Sequence, residues 1–102
     1  MLKVRLKFMP YAQAKVHIIE GGVNLRCALV SYTTVAAQVI EGGWLVVNGL
    51  YSATTRKHLG AFAKEYCGAD YSIIKKCYNM GLVYNIYDKL FMDRNTGEVF
   101  EL

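Results

Sequence analysis

The stretch Tyr51-Ser52-Ala53-Thr54-Thr55-Arg56-Lys57-His58 gathers three aliphatic hydroxyls and three potential cations at the start of what reads as the longest helix of the chain. A helix start exposes unpaired backbone N–H groups and the positive end of the peptide dipoles, so this composition suits an anion. Ser52 or Thr54 equally serves as an ordinary N-cap, with the cations directed to water. A hydroxyl nucleophile activated by His58 is a poorer reading. Thr54 and His58 merely share a helix face at i, i+4, and no carboxylate in the same turn orients the imidazole.

Other reactive groups fare no better. Asp88, Asp93, Glu98 and Glu101 are carboxylates of the kind that hold Mg²⁺ in nucleases. They fall around a surface turn, without a partnering His or Lys in a recognisable order. Cys27, Cys67 and Cys77 form no CxxC pair, and zinc would need further ligands from His17 and His58 alone. Neither a GxGxxG nor a Walker sequence occurs. These residues predict a binding protein, not an enzyme, with no cofactor and no metal. Three widely spaced thiols predict reduced, buried cysteines.

The eight tyrosines are a second candidate surface. Tyr51, Tyr71, Tyr78, Tyr84 and Tyr87 interleave with Lys57, Lys75, Lys76 and Lys89, and such rings stack on bases or on partner side chains. A small core also uses tyrosine, burying the ring and leaving the hydroxyl wet.

These groups sit on a chain of 102 residues that is 54% hydrophobic with a single proline, a composition that predicts one folded domain over residues 1–102. No apolar run reaches the roughly 18 residues of a membrane span, and the N-terminus alternates charge with hydrophobe, unlike a signal peptide. A soluble protein of the cytoplasm is expected. The net charge of +4 is uneven: residues 1–79 carry ten Lys/Arg against four Asp/Glu, and residues 80–102 two against four. That balance disfavours an acidic mimic of nucleic acid and leaves a basic face toward nucleic acid or an acidic protein patch.

Alternation in Leu2–Phe8 predicts a strand with Lys3, Arg5 and Lys7 on an outer face, ended by Pro10. Lysine there also guards an exposed sheet edge. Gly21-Gly22 and Gly42-Gly43 punctuate a β-rich stretch, separating strands at Ala14–Glu20, Val23–Ser31, Thr33–Glu41 and Trp44–Asn48. The period then becomes helical. Leu59, Phe62, Ala63 and Tyr66 form an apolar face from Ala53 to about Cys67, and Gly68 supplies the left-handed stop. Asp70 or Ser72 caps a second helix that runs to about Asn79, with Tyr71, Ile74 and Tyr78 inward and Gly81 at its end. Leu90–Asp93 and Glu98–Glu101 flank a polar turn and read as a terminal hairpin. The expected fold is α+β: a mainly antiparallel sheet from 1–48, a packed helix pair from 53–79, and a C-terminal β-hairpin around a core of Leu6, Ile18, Leu29, Val46, Leu59, Phe62 and Ile74.

The helix pair also has the glycine turn of a helix-turn-helix unit, in which Ser72, Lys75, Lys76 and Asn79 would face a major groove. Lys64 occupies the first-helix position that usually holds a small buried residue.

The run Ser31-Tyr32-Thr33-Thr34-Val35-Ala36, followed about 20 residues later by Tyr51–His58 and Phe62, resembles a pattern in small proteins of phages and other mobile elements. The similarity covers roughly residues 29–80. It implies a setting in which small proteins bind host machinery, anti-CRISPR inhibitors being a prominent case. The resulting expectation is a non-enzymatic inhibitor of a host defence protein or nucleoprotein, acting in the host cytoplasm away from membranes. Direct DNA or RNA binding is the alternative. The partner surface expected comprises Tyr51, Ser52, Thr54, Thr55, Arg56, Lys57 and His58, with Lys75, Lys76 and Tyr78.

Overall fold

The computed structural model describes residues 3–8, 14–20 and 26–101, with side chains for 14–18 and 26–101. The strands are β1 (Lys3–Phe8), β2 (Ala14–Glu20), β3 (Arg26–Ser31), β4 (Thr34–Ile40) and β5 (Trp44–Val47). Helices α1 (Ala53–Tyr66) and α2 (Tyr71–Met80) follow, and β6 (Leu82–Asn85), β7 (Leu90–Asp93) and β8 (Val99–Phe100) complete the chain. Among the described residues the eight strands form one antiparallel sheet in chain order. The fold is α+β, as the sequence predicts. Among the described residues no helix is long and apolar enough to cross a membrane.

Register builds the core. Ile18, Cys27, Val39, Leu45, Tyr84, Phe91 and Phe100 oppose one another in succession, one row crossing from β2 to β8. A parallel row, Val16, Leu29, Ala37 and Val47, lies beside it on the same face, since side chains two apart share a face. The helices cover this face, α1 against β3 and β4 and α2 against β5 and β6. Leu59, Phe62, Ala63, Ile74 and Cys77 are buried there. The register shifts between Leu29 and Val30, which sets Ala36 as an extra residue on β4. Two small buried alanines, Ala36 and Ala37, therefore follow one another.

Val46 is buried as expected, only 7% exposed, although with its register partner Gln38 it lies on the sheet face away from the helices and outside the main cluster. One expectation needs correction. Tyr78 does not turn inward. It is 48% exposed, and Cys77, three residues after Ile74, takes the buried position that the 3.6-residue period allows. The C-terminal hairpin forms as expected, with β7 and β8 paired antiparallel, and it is joined to the main sheet. β6, which the sequence leaves unassigned, pairs Tyr84 with Leu45 of β5 and carries the hairpin into the main sheet. Buried Asn85 closes the β6–β7 turn, donating from Nδ2 to the Gly42 carbonyl at 3.1 Å and accepting the Tyr87 and Asp88 amides on Oδ1.

The local signals hold. Asp70 caps α2 by accepting the Ser72 and Ile73 amides, and Gly68 and Gly81 stand at φ of 58° and 67°. A Cβ at Gly68 would lie 2.9 Å from Lys89 Nζ, the movable end of a flexible side chain, so the positive φ is what favours glycine there. The three cysteines are free and buried, and burial pushes Cys27 up to about 11 and Cys67 and Cys77 up to about 12. The cationic side-chain face of β1, Leu6 as a core residue, Pro10 and the Gly21-Gly22 turn lie outside what is described.

Candidate anion-binding groove

The start of α1 splits its polar residues between two faces. Ser52 is the N-cap, accepting the Thr55 amide at 3.2 Å and giving its hydroxyl proton to Thr55 Oγ1 at 3.2 Å. Thr55 and His58, three apart, both turn into the core, where Ser31 at the end of β3 meets them. Ser31 Oγ lies 2.8 Å from Thr55 Oγ1 and 2.8 Å from His58 Nδ1. The Ser31 and His58 side chains are 2% and 1% exposed. Burial lowers the His58 pKa from its ordinary value and keeps the imidazole neutral. A serine beside a histidine has the outline of a nucleophile and base, but these two are sealed in the core. Their chemistry is mutual satisfaction of buried polar groups, clamping α1 to β3.

Arg56 and Lys57 face the other way. The Gly68 turn sends α2 back along α1, and the two helices enclose a groove of about 570 Å³. Arg56, Lys57 and Gly60 line it from α1, Tyr71, Lys75 and Asn79 from α2, and Leu50 from the preceding loop. Tyr71, Lys75 and Asn79 are spaced at i, i+4 and i+8, a single helical stripe. The helices approach closely at Gly60, where an added Cβ would lie at an ordinary contact distance of 3.6 Å from Tyr71 Cβ. Among the described residues the lining holds three cations and no carboxylate. A smaller depression of about 300 Å³ continues past Tyr71, where Lys57, Ala61 and Lys64 line it. Asp70, nearby, is committed to its cap. The Ser72 hydroxyl, then the Ile73 amide, hold its carboxyl below the usual range.

Of the residues the sequence singles out, Arg56, Lys57 and Lys75 converge on the groove. Tyr51, Ser52 and Thr54 are exposed at the start of α1, and Lys76 and Tyr78 are exposed on α2, none of them in its lining. Thr55 and His58 are internal. Of the residues that a helix-turn-helix reading would direct to a major groove, Lys75 and Asn79 line the groove between α1 and α2, and the helix pair is backed by the sheet. Leu50 and Gly60 belong to the groove without having been picked out in the sequence, and Tyr71 and Asn79, read there as a stacking ring and a groove-facing amide but outside the expected partner surface, line it as well; the stripe 71, 75, 79 is the signal that marks three of its positions. Among the described residues no group of three or more His, Cys, Asp or Glu side chains is placed to hold a metal ion.

An open antiparallel sheet carrying a helix hairpin with a basic groove defines a small two-layer α+β protein. The chain belongs to a family of unknown function, DUF8033, whose profile matches residues 6–77. That span runs from β1 into α2 and includes Arg56, Lys57, Tyr71 and Lys75, while β6, β7 and β8 lie beyond it. No curated protein and no solved structure matches the chain.

Proposed function

We propose that this is a small non-enzymatic binding protein whose helical face takes an anionic partner, and that it inhibits a host defence nucleoprotein in the manner of an anti-CRISPR protein. The observation that carries the reading is the convergence of Arg56, Lys57 and Lys75 from two helices on one groove, with no carboxylate among the described residues of its lining. Cations held together repel one another, and a bound anion relieves that repulsion. The resemblance to small mobile-element proteins supplies the host setting. An interference assay against a panel of CRISPR effectors tests it: the protein protects target DNA from at least one effector, and Arg56→Ala/Lys57→Ala abolishes protection. Absence of protection against every type overturns the inhibitor reading.

The same lining favours a second reading, direct binding of nucleic acid. Counterion release then makes affinity fall steeply with salt. Gel shifts at low salt that show no complex at micromolar protein remove it.

A further inference from the structure

The order of residues along the groove says more than its charge. Helix α2 rises about 1.5 Å per residue, so Tyr71, Lys75 and Asn79 mark its start, middle and end over about 12 Å. Gly60 lies against Tyr71, and Leu50 shares the lining with Asn79. Along the α2 stripe the cationic position is therefore central, with an aromatic ring at one end and an amide at the other, while Arg56 and Lys57 from α1 and the apolar side chain of Leu50 share the same lining. Beyond Tyr71 the adjoining depression adds Lys64. Positive charge thus recurs on both sides of one half-buried ring.

We infer that the groove is a dinucleotide site of single-stranded nucleic acid: a phosphodiester on Arg56, Lys57 and Lys75, one base on Tyr71, and the other against Leu50 with Asn79 at its edge. This rests on the reading of the groove as an anion site and adds the base. Lys64 takes the phosphate that follows the base on Tyr71. Each element has its physical reason. Bases of any type stack on an aromatic ring, the asparagine amide donates and accepts along a base edge, and a groove of this volume is in the range that holds small ligands. A duplex keeps its bases stacked inside and can offer only phosphates.

The test compares four probes by fluorescence anisotropy at one salt concentration: a single-stranded 12-mer, its duplex, a free dinucleotide, and inorganic polyphosphate. The single strand binds at least tenfold tighter than the duplex or the polyphosphate. Tyr71→Leu, which keeps an apolar side chain where Tyr71 packs on the core, weakens the strand at least fivefold and leaves polyphosphate unchanged, whereas Tyr71→Phe retains strand affinity. The wild-type protein supplies a readout without mutation, since a stacked base shifts the Tyr71 ring protons upfield. Affinity for the free dinucleotide equal to that for the strand supports the site and assigns its source to a soluble dinucleotide. Equal affinity for all polyanions, indifferent to Tyr71→Leu, overturns the dinucleotide inference while leaving the anion groove. Binding of none of the probes overturns both.

Discussion

Replacing Ser31 by alanine removes one oxygen that two buried side chains share. Its Oγ sits 2.8 Å from Thr55 Oγ1 and 2.8 Å from His58 Nδ1, so two hydrogen bonds of about 0.5–1.5 kcal/mol net are lost. Thr55 keeps its bond from Ser52 at 3.2 Å, so the larger penalty falls on His58 Nδ1, which loses its serine partner inside the core. A polar group stripped of a partner there costs about 1–3 kcal/mol. Together these predict a loss of about 2–4 kcal/mol from a domain whose whole stability is of order 5–15 kcal/mol. The melting temperature falls by roughly 8–32 °C at about 4–8 °C per kcal/mol for a chain of this size. Urea unfolding followed by circular dichroism measures the change directly, with Ser52→Ala as the comparison, since loss of an N-cap costs about 1 kcal/mol. Thr55→Val should then cost less on the Ser31→Ala background than on the wild type, because the two side chains share a bond. If Ser31→Ala costs under about 0.5 kcal/mol, or no more than Ser52→Ala, the buried network does not clamp α1 to β3.

Other expectations follow from the same geometry. Burial depresses the folded-state pKa of His58, so its neutral form's contribution is complete above the unfolded value near 6.5 and is lost as pH falls below it; the urea midpoint should drop between pH 7.5 and 5.5, with the His58 ring titrating late by NMR. Arg56→Ala/Lys57→Ala removes cations from the positive end of α1 and from beside Lys75, and should hold or raise the melting temperature while weakening anion binding at least tenfold, about 1.4 kcal/mol. A variant that unfolds with unchanged affinity in its folded fraction would show the cations to be structural. Gly60→Ala should stabilise by up to about 1 kcal/mol, because a Cβ meets Tyr71 at an ordinary 3.6 Å, whereas Gly81→Ala at φ 67° should cost about 1–2 kcal/mol despite open space around it; chemical denaturation should give the two opposite signs. Cys27, Cys67 and Cys77, buried and with thiols pushed up to about 11–12, should resist a thiol reagent at pH 8 until the protein is unfolded.

What the sequence by itself determined is local. Asp70 followed by Ser72, and Gly68 and Gly81 where φ turns positive, mark the helix limits because caps and left-handed stops act within a few residues of chain. Over residues 35–41, where Ala36, Ala37 and Gln38 also tolerate helix, the β-branched residues and the glycines on either side were enough to read β4 as a strand. Tertiary structure decided everything that depends on residues far apart. β6 is a four-residue run with no alternating pattern of burial, and it becomes a strand because β5 presents unpaired backbone groups beside it once the helices have brought the chain back. The octet at the start of α1 is one polar stretch in the sequence. Only Ser31, 27 residues before His58, shows that Thr55 and His58 point inward while Arg56 and Lys57 remain outside. Those two cations acquire Lys75 as a neighbour for the same reason: the angle at which α2 folds back over Gly60 is set by packing on the sheet, and a helical period carries no information about which other helix its polar face will meet.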